Sequence, residues 1–304
     1  MSKIVVVGSI NMDIVNEVVR FPEPGETIHG RGTSYQPGGK GANQAVASSL
    51  AGGETVMAGA FGDDAFGGVL RSSLREHGVD TTHMITKQGS SGLAFITVSD
   101  SGENQIILSA GSNGELTPGD ISEAAFVGAA FVLLQNEIPP EVNLRVMKLC
   151  ADHGIKVCYN PAPAATIPAE VFPLIDTLVV NETEAAVVSG IRVCTAEDAE
   201  AAANKLRQAG VANVIVTLGG NGVYALDAAG VSHRVPAFRV EAVDTTAAGD
   251  TFIGAYAAAL AGGHEVAEAL RFASAAAAIS VTRQGAQSSI PQREEIERFL
   301  RERG

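Results

Sequence analysis

Apolar and polar positions change period repeatedly along the 304-residue chain. The short β-branched runs Ile4–Val7, Val56–Ala60, Phe131–Leu134, Lys156–Tyr159, Thr177–Val180 and Val214–Thr217 carry almost no charge, as strands buried on both faces do. Between them, Ala42–Ala51, Phe66–Glu76, Glu141–His153, Glu182–Ser189 and Ala196–Gln208 place apolar residues at helical spacing. Gly78, Gly154, Gly190 and Gly210 stand where C-terminal helix caps fall. The alternation predicts an α/β fold whose central, mostly parallel sheet is flanked by helices.

Two segments break that rhythm. Ile14–Val19 with Glu26–Gly30, and Gly92–Val98 with Asn104–Leu108, have no helix between their halves and read as antiparallel hairpins, the second turned at Asp100-Ser101-Gly102-Glu103. Each follows the end of a core strand. They are therefore expected in one small sheet, a lid inserted at about 14–36 and 91–109 over the C-terminal edge, where open α/β sheets bind ligands. A decorative flap is the alternative. No repeat, linker or low-complexity tract marks a second domain, so residues 1–304 are expected to form one Rossmann-like sandwich with a small β-sheet lid.

Composition narrows the partners. Lys+Arg 21 against Asp+Glu 34 gives a net charge of -13, which argues against nucleic acid and anionic membranes. The longest low-charge stretches, Thr251 to Gly263 and Phe272 to Thr282, are shorter than the roughly 20 apolar residues of a membrane span. The apolar stretch at the N-terminus soon meets Asp13, unlike a signal peptide. Three cysteines, Cys150, Cys158 and Cys194, have no Cys-x-x-Cys spacing and point to a reducing compartment, the cytoplasm.

Four stretches could carry chemistry. In Val243-Asp244-Thr245-Thr246-Ala247-Ala248-Gly249-Asp250-Thr251-Phe252, small residues lead into a helix whose first N–H groups, at Ala247, Ala248 and Gly249, would cradle an anion. Asp250 beside that cradle either caps the helix or takes a proton from a nucleophile attacking the anion. In Pro37-Gly38-Gly39-Lys40-Gly41-Ala42-Asn43-Gln44-Ala45, adjacent glycines enter another helix, with Lys40 and Asn43 as potential donors; it is not a Walker A motif, because no Ser or Thr follows the Lys. Gly8-Ser9-Ile10-Asn11-Met12-Asp13 lacks the three glycines of a dinucleotide fingerprint, and its amide and carboxylate suit vicinal hydroxyls or simply a polar turn. In Asn181-Glu182-Thr183-Glu184, Asn181 and Glu184 share a helical face; they could reach a metal-bound water or a phosphate, or form a capping box. The scattered histidines include no His-Glu-x-x-His, and Gly230-Val231-Ser232-His233-Arg234 lacks the second Gly of a serine nucleophile elbow.

Taken together, the order and spacing of these stretches closely resemble the ribokinase-like family of carbohydrate and nucleoside kinases over nearly the whole chain. Gly38-Gly39-Lys40-Gly41-Ala42-Asn43 is similar to that family's first signature, and Asp244 through Phe252 to its second. The resemblance implies transfer of the γ-phosphate of ATP to a sugar, D-ribose at its 5-hydroxyl foremost. Deoxyribose, fructose and adenosine-type nucleosides are alternatives within the family, and a non-catalytic sugar sensor lies outside it. It assigns Asp250 as base and Ala247, Ala248 and Gly249 as anion hole. It gives Asn11, Asp13, Gly39, Lys40, Gly41, Asn43 and Glu137 to the sugar, and Asn181 and Glu184 to Mg2+ and phosphate. Nucleotide binding falls to Thr217, Gly219, Gly220 and Gly222, with Gly249 and the segment around Ser274. A K+ ion is implied at Asp244, Thr246, Ser280, Arg283, Gly285 and Ser289, and a homodimer through the lid. Ser274 and Ile253 stand where Asn is common in the family, which touches the nucleotide contacts and not the base.

Overall fold

The computed structural model describes residues 2–303. Its strands in chain order are β1 (Lys3–Val7), β2 (Asn11–Val18), β3 (Gly32–Gly38), β4 (Glu54–Gly62), β5 (Asp80–Lys87), β6 (Gly92–Ser99), β7 (Asn104–Ser109), β8 (Ala129–Gln135), β9 (Lys156–Asn160), β10 (Thr177–Asn181), β11 (Asn213–Thr217), β12 (Val223–Leu226) and β13 (Ser232–Val235). The helices are α1 (Lys40–Leu50), α2 (Ala65–Glu76), α3 (Pro140–His153), α4 (Glu182–Ser189), α5 (Ala196–Gln208), α6 (Ala248–Ala261), α7 (Val266–Ser280) and α8 (Arg293–Arg303).

Nine strands form one sheet in the order β13-β12-β11-β10-β9-β8-β1-β4-β5, parallel from β11 through β5, with β12 and β13 antiparallel at one edge. Strand periodicity sorts the core. Ile4 and Val6 face α1, α2, α6 and α7 on one side, while Val5 and Val7 face α3, α4 and α5 on the other. With both faces covered, central strands stay apolar throughout, which is why all six central strands read from sequence are present.

A separate four-stranded sheet, β3-β2-β6-β7, pairs two antiparallel hairpins through a parallel β2–β6 contact. One expectation is corrected here: the return strand of the first hairpin is Gly32–Gly38, not Glu26–Gly30. Pro22, Pro24 and Gly25 bend the chain before it, and Arg20 and the Glu23 N–H both bind the Glu26 carboxylate, closing that stretch as a loop. β2 also begins earlier than expected, at Asn11, and so carries Asn11 and Asp13 on an ordered strand.

Candidate active site

The sheet order reverses around β1, which has β4 on one side and β8 on the other. A crevice forms outside the strand ends at such a point. Leaving β1, the chain delivers Ser9, Asn11 and Asp13; leaving β8, it delivers Gln135 and Glu137. The Ser9 hydroxyl donates to Glu137 Oε2 (2.6 Å), and the Lys40 N–H at the start of α1 donates to the same oxygen (3.0 Å). Gly39 makes this junction possible. Its φ of +90° suits glycine, and a Cβ there would sit 2.8 Å from the Asn11 nitrogen.

Asn11 and Asp13 are both buried. Asn113 donates from Nδ2 to Asn11 Oδ1 (2.8 Å) and binds the Ile10 backbone through both its N–H and its carbonyl. The Asn11 amide is thereby fixed with its own Nδ2 free to face a ligand. The Asp13 carboxyl is pushed up to about 7 by burial first, then by the negative charges of Glu137 and Asp250. Those causes place three carboxylates within one electrostatic neighbourhood.

Asp250 lies in the first turn of α6 and does not cap it. The N-cap is Ala247, with φ +58°, the single non-glycine residue of positive φ among the described residues. The Asp250 carboxylate instead crosses to α1, where Asn43 Nδ2 donates to Oδ2 (3.1 Å) and Gln44 Nε2 to Oδ1 (3.0 Å). Gly254 allows that approach, since a Cβ there would stand 2.6 Å from both the Ala47 Cβ and the Gln44 carbonyl oxygen. Burial raises the Asp250 pKa, opposed by the Lys40 charge and by the Gln44 and Asn43 amides. Lys40 is held charged chiefly by Asp250, against burial, with Glu137 and Glu184 adding to it.

A cavity of about 200 Å³ joins Asp250, Gly249, Ala248 and Ala247 to Lys40, Asn181, Glu184 and Thr217. The N–H groups of Gly249 and Asp250 have no partner among the described residues, while that of Ala248 turns back to the Thr245 carbonyl (3.3 Å). Asn181 and Glu184 form the capping box of α4, and Asn160 Nδ2 also donates to Glu184 (3.1 Å). Gly219, Gly220 and Gly222 form the turn after β11, outside the residues lining this cavity. Ser274 lies outside it too, its hydroxyl donating to the Leu270 carbonyl of its own helix.

The Asp244 carboxylate staples two loops, accepting from Thr246 N (2.9 Å) and Oγ1 (2.6 Å) and from Gly285 N (2.9 Å). Although burial opposes ionisation, these donors hold its carboxyl below the usual range. The Ser280 carbonyl accepts from Arg283 N in the adjoining turn, and the Ser289 hydroxyl bonds to Ala286 O. No cluster of three or more His, Cys, Asp or Glu suited to a metal occurs among the described residues.

The profile of the pfkB family carbohydrate kinases matches residues 1–293. The chain belongs to the pfkB family of carbohydrate kinases. Among curated relatives, a ribokinase of Haemophilus influenzae is 42% identical over 298 residues, covering 97% of each chain. A crystal structure of ribokinase from Thermotoga maritima matches with a TM-score of 0.90 at 41% identity, over 99% of this chain and 100% of that one. Arabidopsis thaliana ribokinase complexed with ribose and ATP matches with a TM-score of 0.93 at 34% identity, over 98% of each. For a pfkB kinase, the sequence left three contributors without a role: Gln44 at Asp250, Asn113 behind Asn11 and Asn160 behind Glu184. The readable signal for Gln44 was a pair of amides, Asn43-Gln44, inside an otherwise small and apolar helix.

Proposed function

We propose that the protein transfers the γ-phosphoryl group of ATP to the 5-hydroxyl of D-ribose. The observation that carries the reading is Asp250: a buried carboxylate tied to α1 by two amides, standing at a helix start whose next free N–H groups open into the same cavity. Phosphoryl transfer to an alcohol needs little else from a protein than a proton acceptor and donors for the charge on the migrating group.

In this reading Asp250 accepts the proton of the 5-hydroxyl, and the Gly249 N–H, the α6 dipole and Lys40 stabilise the transferring group. Of the expected anion hole Ala247, Ala248 and Gly249, the Gly249 N–H is the free donor, joined by that of Asp250, while Ala248 bonds back to Thr245 and the φ of Ala247 shapes the bend. Asn11, Asp13, Gly39, Gly41, Asn43 and Glu137 hold the sugar. Asp13 and Asn11, an acceptor and a donor two residues apart on β2, grip vicinal hydroxyls. The ATP phosphates run past Thr217, and Gly219, Gly220, Gly222 and the Ser274 segment line the nucleotide's path.

Asn181 and Glu184 suit a hydrated Mg2+. The two Glu184 oxygens already accept from three amide N–H groups, so a hold through water fits better than direct ligation. Bound there, the ion would supply charge neutralisation along the phosphates. For K+, the Asp244 carboxylate, the hydroxyls of Thr246, Ser280 and Ser289 and the backbone carbonyls of Arg283 and Gly285 would make a set of oxygen donors, and its ordering effect would fall on the loop before Asp250.

The small sheet is read as a lid that excludes water from the sugar. Its exposed apolar residues Tyr35, Phe95, Ile106, Ile107 and Leu108 favour cover by a second copy. Three free cysteines favour a cytoplasmic setting. No helix among the described residues is long and apolar enough to cross a membrane.

The test is a substrate panel with ATP: D-ribose, 2-deoxy-D-ribose, D-fructose and adenosine, with products assigned by phosphorus NMR. Ribose is expected to turn over with the highest kcat/KM and to yield the 5-phosphate. Rapid turnover of adenosine with none of ribose would overturn the reading.

A further inference from the structure

Behind Asp250 lies a chain of amides outside the residues that line its cavity. Gln44 is fully buried on α1 and donates from Nε2 to Asp250 Oδ1 (3.0 Å). Its Oε1 accepts from Gln135 Nε2 (2.7 Å), and Gln135, at the end of β8, is buried as well. The Gln135 backbone carbonyl in turn accepts from Asn143 Nδ2 (2.7 Å), which ties the strand end to α3. Gly8 is the residue that leaves room, since a Cβ there would fall 2.0 Å from Gln135 Oε1.

The chain has a direction. An ionised carboxylate only accepts, so Gln44 must turn its NH2 toward Asp250. That leaves the Gln44 carbonyl for Gln135, which must then turn its own NH2 inward. The residual mismatch falls at the far end, where Gln135 Oε1 is buried without a partner. Such an orphaned acceptor costs stability. An apolar side chain at 135 would carry no such orphaned oxygen, so the amide is explained by what it orients rather than by the space it fills.

We propose that Gln44, held by Gln135, is the positioning residue of the catalytic base. It binds Oδ1 of Asp250, stabilises the ionised form against burial, and leaves Oδ2, beside Asn43, as the oxygen that meets the sugar hydroxyl. This rests on the reading of Asp250 as the base. Neither glutamine touches substrate, so their loss acts on turnover and on its pH dependence rather than on sugar affinity.

The experiment compares Gln44→Leu, Gln135→Leu and Asp250→Asn in the full-length enzyme, measuring kcat, ribose KM and the pH profile of kcat. Removing a donor from an ionised buried carboxylate raises its pKa, so the acid limb of Gln44→Leu moves to higher pH by about one unit, with kcat at neutral pH falling by about tenfold to a hundredfold. Ribose KM stays within about threefold, because the sugar-facing groups are untouched. Gln135→Leu shows the same displacement in smaller measure, and it carries the test if Gln44→Leu does not fold. An acid limb unmoved in the folded variants, or a loss appearing in KM alone, overturns the positioning role. The underlying reading fails separately, if Asp250→Asn keeps its turnover; a silenced Asp250→Asn beside an unmoved Gln44→Leu sinks only the present inference.

Discussion

The two halves of the site hold their carboxylates in opposite ways. On the phosphoryl side, Asp250 receives Asn43, Gln44 and the Lys40 charge from the protein itself. On the sugar side, Asp13 is nearly as deeply placed, yet burial and two negative neighbours are the causes that act on it, and its carboxyl rises to about 7. The difference fits the proposed roles: the donors of Asp250 are built in, whereas those of Asp13 would be supplied by sugar hydroxyls. A base needs a fixed position before substrate comes, whereas a binding carboxylate gains affinity if its donors are supplied by the ligand.

Substitutions sharpen that contrast, beginning with the largest effect. Asp250→Asn keeps the shape and both faces of the cavity but removes the proton acceptor, so kcat falls by about 10²–10⁴-fold while ribose binding by calorimetry is retained. Asp13→Asn does the reverse, raising ribose KM by roughly tenfold to a hundredfold through loss of a charged acceptor, with a smaller change in kcat. Retained ribose affinity in Asp13→Asn would place the sugar elsewhere.

The same residue links pH to stability. Because the folded-state pKa of Asp13, about 7, lies above its ordinary value of 3.8, its contribution to stability is present at low pH and lost as pH rises through 7. Asp13→Asn therefore melts higher than the parent protein at pH 8, and the two converge toward pH 4. In kinetics the sign is opposite, since hydroxyls donate to the ionised form: ribose KM of the parent rises as pH falls below 7, by up to about tenfold per unit. A flat KM between pH 5 and 8 would contradict this.

The smallest effect concerns the sheet that carries Asp13. For the proposed dimer through the small sheet, Ile107→Lys on the exposed β7 face is expected to give a monomer by light scattering, with a modest rise in ribose KM and an unchanged kcat, because α1 and α6 hold Asp250 without help from that sheet.

What could be read from the sequence follows physical lines. Central strands such as Val132–Leu134 are apolar on both faces and announce themselves, whereas the edge strand β5, Asp80–Lys87, alternates buried and polar positions too unevenly to do so. α8 is similarly hidden, since Ile296 is its one buried residue in a run of Arg and Glu. Within the site, Asp250, Lys40 and Asn43 are marked by glycine-rich approaches to helix starts. Gln44 carries only the weaker signal of its pairing with Asn43, and Asn113 carries none: their roles depend on which strand end and which helix come to lie opposite them, and that is a property of the tertiary fold.

The most direct measurement is the structure of the protein with D-ribose and a non-hydrolysable ATP analogue bound. The ribose 5-oxygen is expected at hydrogen-bond distance, about 2.6–3.2 Å, from Oδ2 of Asp250, with Oδ1 still on Gln44. A ribose whose 5-oxygen lies away from that carboxylate with the small sheet closed over it would contradict the account.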